Sequence, residues 1–294
     1  MDLQFILDKY HLQDIFSASL ALGLTQETLQ LIYDDYNNIY YKKYQLIAKK
    51  IVEMLYEDSP DGMRIIYARA KNPEHLIEKI IRKIGKEDKA AYRNICVNNY
   101  RKIITDLIGI RILVLKKEDW EIADEHVHNK FKKFVQPPVA YVCYGDRDIF
   151  DESKIRTDYT NKGYRSQHYI VDYNDIPCEI QVRTLAEEVY GEFDHNIRYP
   201  YRTNNTFLTR YNQIISKVTS ELDDLISTCS ALSNEKLDEL DNTFIDDTYV
   251  DWAKKIEGQA SYLEHEEKIS SPADKKTATS VLQFATRRLL QRKE

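Results

Sequence analysis

Residues 158–197 read DYTNKGYRSQHYIVDYNDIPCEIQVRTLAEEVYGEFDHNI, and the pattern of this stretch decides the fold. Gly163 closes a polar, turn-forming run, so the chain bends there. Gln167–Tyr173 is rich in β-branched and aromatic residues, which fit a pleated strand. Asn174-Asp175-Ile176-Pro177 is a turn signal. Cys178–Arg183 then alternates strictly. Cys178, Ile180 and Val182 share one face; Glu179, Gln181 and Arg183 share the other. Thr184 with Glu187 three residues on forms a capping box, which starts a helix.

The polar face of the second strand carries the chemistry. An acid, an amide and an arginine in a row are an ordinary face in water, and costly if buried without partners. Tyr164, Arg165, His168 and His195 crowd the same short stretch. That density of ring, cation and carboxylate points to a pocket for phosphate and base.

The wider chain sets the frame. Its 294 residues allow one large domain, or a medium domain with additions. With 31% charged and 43% hydrophobic residues, a soluble folded protein is expected. No apolar run is long enough to cross a bilayer. The opening MDLQFILDKYHLQD lacks the basic start and apolar core of a signal peptide, so a cytoplasmic location with no membrane partner is expected. The cysteines Cys96, Cys143, Cys178 and Cys229 are scattered, without a zinc-binding spacing. The net charge of −6 argues against a broad nucleic-acid-binding surface but leaves room for a local basic patch.

Residues 1 to about 58 have helical periodicity, with a helix start at Thr25 and a long apolar face over Tyr36–Tyr56. The run Tyr40–Tyr44 with Lys42 and Lys43 is either a packing face or a place for a nucleic-acid backbone and stacked bases. Met63–Ala70 is expected to be a strand, and Asn72-Pro73-Glu74 starts a helix. A helix is expected over Asn94–Thr105. Gly109–Leu115, the most apolar run, is expected to be a central strand. A helix over Glu118–Phe134 should end at Pro137-Pro138, before a strand at Val139–Tyr144. Gly145–Lys162 is polar and is expected to be a loop that closes on substrate. Phe207–Ile226, Val250–Tyr262 and the basic end Lys275–Lys293 have helical character.

Taken together, the motifs resemble the synthetase domain of the RelA/SpoT alarmone synthetases. The resemblance is carried by Gly163–His168, by Glu179–Thr184 with Asp194-His195, by Arg69-Ala70-Lys71 with Lys79, and by Asp106–Arg111. It covers roughly Met63 to Tyr201, about one domain. It implies an α/β (α+β) fold with a mixed five-stranded sheet of nucleotidyltransferase type, flanked by helices. The transfer domain would span 59–202, between helical extensions at 1–58 and 203–294.

The resemblance also implies roles. Arg69, Lys71 and Lys79 would contact the ATP donor, with Arg111 on the other face of the adenine from Arg69. Asp106 and Glu179 would hold Mg2+, and Glu179 would take the proton of the attacking hydroxyl. Tyr164 would stack on the acceptor base and His168 would touch acceptor phosphates. Gln181 and Arg183 reach the same pocket, Arg183 equally as an ion-pair partner. Arg165, Asp194 and His195 would stand behind or beside these. The sequence departs from the family at His75 (usually serine), Asp194 (more often glutamate) and Pro200 (often lysine).

The implied activity is transfer of the β,γ-pyrophosphate of ATP to the 3′-hydroxyl of GDP or GTP, giving (p)ppGpp. A toxin that pyrophosphorylates the 3′ end of tRNA, restrained by an antitoxin protein, is the alternative. A catalytically silent nucleotide-sensing or partner-binding module is the alternative of another class. The terminal helices suit a homo-oligomer. No His-Asp dipeptide occurs, so the family's hydrolase motif is missing from this sequence.

Overall fold

The computed structural model describes residues 1–143, 149–160, 163–198 and 205–234. Met1–Ala231 forms one compact unit. The helices expected at Val250–Tyr262 and Lys275–Lys293, and Pro200, lie outside the described residues.

Four helices lead the chain: α1 (Leu3–Lys9), α2 (Gln13–Ala21), α3 (Gln26–Asp35) and α4 (Tyr41–Tyr56), the last two joined by a π turn at Tyr36–Tyr40. Thr25 caps α3, its hydroxyl accepting from the Thr28 N–H at 3.1 Å. α4 buries Tyr44, Ala48, Ile51 and Leu55, one stripe of a 3.6-residue repeat. After β1 (Met63–Ala70), α5 (Pro73–Gly85) starts at Asn72, whose side chain accepts from the Glu74 N–H at 2.8 Å. Only Tyr100–Ile103 (α6) is helical in the stretch expected to be a longer helix. There Asn99 accepts from the Cys96 N–H and donates to the Asn94 carbonyl, so side chain–backbone bonds hold turns instead.

The rest of the chain supplies β2 (Ile108–Val114), α7 (Trp120–Lys130), β3 (Phe134–Val142), β4 (Arg156–Tyr159), β5 (Ser166–Tyr173), β6 (Ile176–Thr184), α8 (Leu185–Phe193) and α9 (Thr206–Asn234). Among the described residues six strands form one mixed sheet in the order β1-β2-β6-β5-β3-β4. β2 runs parallel to β6 and β3 to β4; the other neighbours are antiparallel. The expected count of five is therefore short by one. The extra strand is β4, a four-residue edge strand inside the stretch expected to be all loop. Pro137 and Pro138 lie within β3 and do not precede it. The β3–β5 register breaks between Gln136 and Val139, where a missing N–H interrupts no ladder.

The β5–β6 hairpin turns on Asn174 and Asp175, with φ of 52° and 63°, as a two-residue turn of the I′ kind requires. Cys178, Ile180 and Val182 are fully buried. Each is worth about 1.5–3 kcal/mol of burial if it resembles an ordinary aliphatic side chain, so a one-residue slip of β6 is strongly disfavoured. Ile108, Ile110, Ile112 and Val114 of β2 join the same core. Register then fixes the opposite face.

Candidate active site

Directly paired residues of a sheet share a face. Tyr67 pairs with Arg111 and Arg69 with Gly109 across β1 and β2. Gly109 pairs with Glu179 and Arg111 with Gln181 across β2 and β6; His168 pairs with Gln181 across β5 and β6. One polar face thus gathers Tyr67, Arg69, Arg111, His168, Glu179, Gln181 and Arg183.

Asp106 stands just before β2. Its Oδ2 accepts from Lys71 Nζ at 2.9 Å and lies 2.8 Å from Lys79 Nζ, so β1's exit and α5 both reach it. Burial works to raise the Asp106 carboxyl, and the two lysines outweigh it, holding the group well below the usual carboxylate range. Its other oxygen, Oδ1, is buried without a hydrogen-bond partner. Lys71 is fixed from behind by its own backbone, whose carbonyl accepts from the Tyr36 hydroxyl at 2.8 Å.

Glu179 is held on both oxygens. His168 Nδ1 lies 3.4 Å from Oε1, and Gln181 Nε2 donates to Oε2 at 2.7 Å. His168 Nε2 meets the Tyr164 hydroxyl at 2.8 Å, and that oxygen accepts from Arg183 Nη2 at 2.7 Å. The network assigns His168 a proton on Nδ1, aimed at Glu179. Burial lowers the His168 pKa and neighbouring Arg183 and Arg111 add to this; Glu179 opposes them. Burial pushes Glu179 up, but His168 and Lys79 bring it below its ordinary value, against repulsion from Asp106.

Both acids open on one cavity of about 1230 Å³. That exceeds the range of roughly 300–1,000 Å³ for a single small-molecule pocket, so the cavity has room for more than one small ligand. Nine lysines and arginines but only four carboxylates line it, in a chain of net charge −6. Arg69, Lys71, Lys79, Arg111, Gln181 and His195 are on its wall with Asp106 and Glu179. His195 is pushed below its ordinary pKa by burial and then by Arg69.

The other expected residues sit elsewhere. Tyr164, His168 and Arg183 are not on the wall; they stand behind Glu179 and Gln181 as hydrogen-bonded support. Arg183 is buried, ion-paired to Glu188 at 2.9 Å, with its guanidinium 5.0 Å from the Tyr164 ring centre. Arg165 is buried away from the cavity, against Glu187 at 3.7 Å and Asp223 of α9 at 3.2 Å. Asp194, in the turn after α8, is half-buried and off the wall.

Tyr67 and Glu188, which no motif marks, join the network by a 2.5 Å hydrogen bond. Tyr41 and Lys42 of the Tyr40–Tyr44 run line the same cavity, as does Lys49 further along α4. Helical periodicity alone could not show which structure α4's polar edge would face.

Residues 68–204 match the family described as "Region found in RelA / SpoT proteins". These residues carry a RelA/SpoT region. It is 24% identical over 181 residues to the GTP pyrophosphokinase YjbM of Bacillus subtilis, across 58% of this chain and 74% of that protein. The small alarmone synthetase 1 of Bacillus subtilis, solved bound to its product pppGpp, superposes with a TM-score of 0.50 at 20% identity. That alignment covers 68% of this chain and 100% of the other. A GTP pyrophosphokinase family protein from Streptococcus pneumoniae gives 0.46 at 20% identity, over 70% and 93% of the two chains. The RelA/SpoT match begins inside β1 and ends past α8, so α4 adds Tyr41, Lys42 and Lys49 to the cavity from outside it.

Proposed function

We propose that the chain is a cytoplasmic ATP-dependent pyrophosphokinase that moves the β,γ-pyrophosphate of ATP to the 3′-hydroxyl of GDP or GTP. The products are (p)ppGpp and AMP. The observation that carries this reading is the placement of Asp106 and Glu179, from separate parts of the chain, on one cation-rich cavity with room for more than one small ligand. Phosphoryl-type transfer runs largely on positioning and electrostatics, which this wall supplies.

Lys71, Lys79 and Arg69 would bind the donor phosphates, and Arg111 the adenine side. Glu179, held by His168 and Gln181, would take the acceptor hydroxyl's proton. Stacking of Tyr164 and phosphate contact by His168 would require their mutual hydrogen bond to open on binding. Arg183 serves as an internal ion pair. Residues 59–202 would be the transferase proper, with 1–58 and 203–294 as helical additions.

The donor set fits Mg2+. Among the described residues no three His, Cys, Asp or Glu side chains form a metal cage. Two carboxylates are available, one with a buried, unpartnered oxygen at Asp106. Mg2+ commonly takes one or two carboxylates with substrate phosphates, and would add charge neutralisation on the transferred group. Asp106 and Glu179 would hold it.

One observation favours a second acceptor, the 3′ end of tRNA: the basic and aromatic residues Tyr41, Lys42 and Lys49 of α4 extend the cavity wall. A neutralising antitoxin would accompany that reading. The deciding experiment offers radiolabelled ATP with GDP, GTP or deacylated tRNA. Label on the guanine nucleotide is expected; label on tRNA alone rejects the lead reading. No transfer to any acceptor would leave the silent nucleotide-sensing module.

A further inference from the structure

Glu188 has no task in the reading above, yet it is placed at a junction. It lies in the first turn of α8 and is buried. Its two oxygens are divided between arginines from adjacent strands. Oε2 accepts from Arg183 Nη1 at 2.9 Å; Oε1 lies 3.5 Å from Arg111 Nε and accepts from the Tyr67 hydroxyl at 2.5 Å. Both arginines also donate to a single acceptor, Gln181 Oε1, Arg183 at 2.8 Å. The amide nitrogen of Gln181 in turn holds Glu179.

Gly191, three residues on and so on the same side of the helix, completes the arrangement. A Cβ there would lie 2.2 Å from Arg183 Nη1 and 3.2 Å from its Cζ. α8 therefore supplies an acid that holds two guanidiniums and a gap that admits one of them. Two guanidiniums that converge on one amide oxygen repel each other unless a carboxylate lies between them. Removing one partner of such a buried set leaves uncompensated charge, and the set rearranges.

We propose that Glu188 and Gly191 form a seat on α8 that positions Arg111 and Arg183, and through Gln181 fixes the orientation of Glu179. Glu188 is not on the cavity wall, so it is a positioning residue. The inference rests on the pyrophosphokinase reading of the same site.

The test measures kcat and KM for each nucleotide, per folded enzyme, in the full chain with Glu188→Ala, Glu188→Gln and Gly191→Ala. Groups that orient a reacting residue typically cost about 10–100-fold when lost. Glu188→Ala should lower kcat within that range, and Glu188→Gln should restore part of it. Gly191→Ala gains about 1 kcal/mol in helix propensity but drives a Cβ into the buried Arg183 guanidinium, so it should lower Tm and also lower kcat per folded enzyme several-fold. Arg183→Leu should cost less in the Glu188→Ala background than alone. A purely structural role would lower Tm and the folded fraction but leave kcat per folded enzyme and KM unchanged. Equilibrium binding of a non-hydrolysable ATP analogue adds a readout that needs no turnover, and Glu188→Ala should weaken it about tenfold through Arg111. If the wild type transfers to no acceptor, the pyrophosphokinase reading fails and this binding arm alone judges the seat. Wild-type kcat per folded enzyme in Glu188→Ala and Gly191→Ala, or unchanged analogue binding where nothing turns over, overturns the proposal.

Discussion

Two ionic clusters, a half-buried one on the cavity and a buried one against α9, are balanced in opposite senses. On the cavity side two lysines close on one Asp106, and the carboxyl is held far down. On the α9 side Glu187 and Asp223 share Arg165, with Lys117 more distant, and Asp223 is pushed up to about 7, first by burial and then by Glu187. An excess of buried cation is a standing demand for an anion from outside. An excess of buried acid is met from within, by holding a proton or a hydroxyl such as that of Thr184, 3.0 Å from Asp223. The first arrangement suits a binding site and the second a closed contact.

The largest expected effect is at the reacting end. Glu179→Gln keeps the shape of the side chain but removes its basicity and turns an NH2 toward one of the two donors that hold it, and should lower kcat per folded enzyme by about 10³-fold. Near-wild-type turnover would remove Glu179 from the mechanism. Next, Asp106→Asn would sharpen the contrast by separating binding from chemistry. It frees Lys71 and Lys79, so ATP-analogue binding in EDTA should tighten while kcat in Mg2+ collapses. Weaker binding in EDTA would mean that the lysines need Asp106 to point at the donor. Lys79→Met should raise KM for ATP by roughly tenfold, the worth of one charge-assisted contact.

The smallest effect belongs to the acid-rich cluster. Asp223 has a folded-state pKa of about 7 against an ordinary 3.8, so the native state binds more protons between those values. The stability it contributes is full below pH 4 and is lost as pH rises through 7. Wild-type Tm should therefore fall by a few degrees, roughly, from pH 5 to pH 8, and Asp223→Asn should flatten that slope. A slope unchanged in the variant would assign it to other groups.

What the sequence disclosed was local in origin. The β6 alternation, the Asn174-Asp175 turn and the Thr184/Glu187 capping box each depend on residues within a few positions of one another, and each formed as expected. β4 was invisible because Arg156-Thr157-Asp158-Tyr159 offers no apolar face; as an edge strand it needs none. Pro137-Pro138 read as a stop because the β3–β5 register break that tolerates them depends on the partner strand. Glu188 carries no sequence signal of its role. Its partners Tyr67 and Arg111 come from other strands, and no spacing in the chain announces them. The site acids were legible through their motifs, while their meeting at one cavity was expected only from the resemblance and not from any local pattern, since the sheet brings them together.

The parallel pairing of β2 with β6 has a consequence for how the enzyme comes into being. β3, β4 and β5 all lie between these two neighbours in the sequence, so the pairing closes a long loop and forms late compared with the β5–β6 hairpin. A polypeptide emerging from the ribosome therefore has no assembled centre until Thr184 is out. Nascent chains and early truncations would be inert towards ATP.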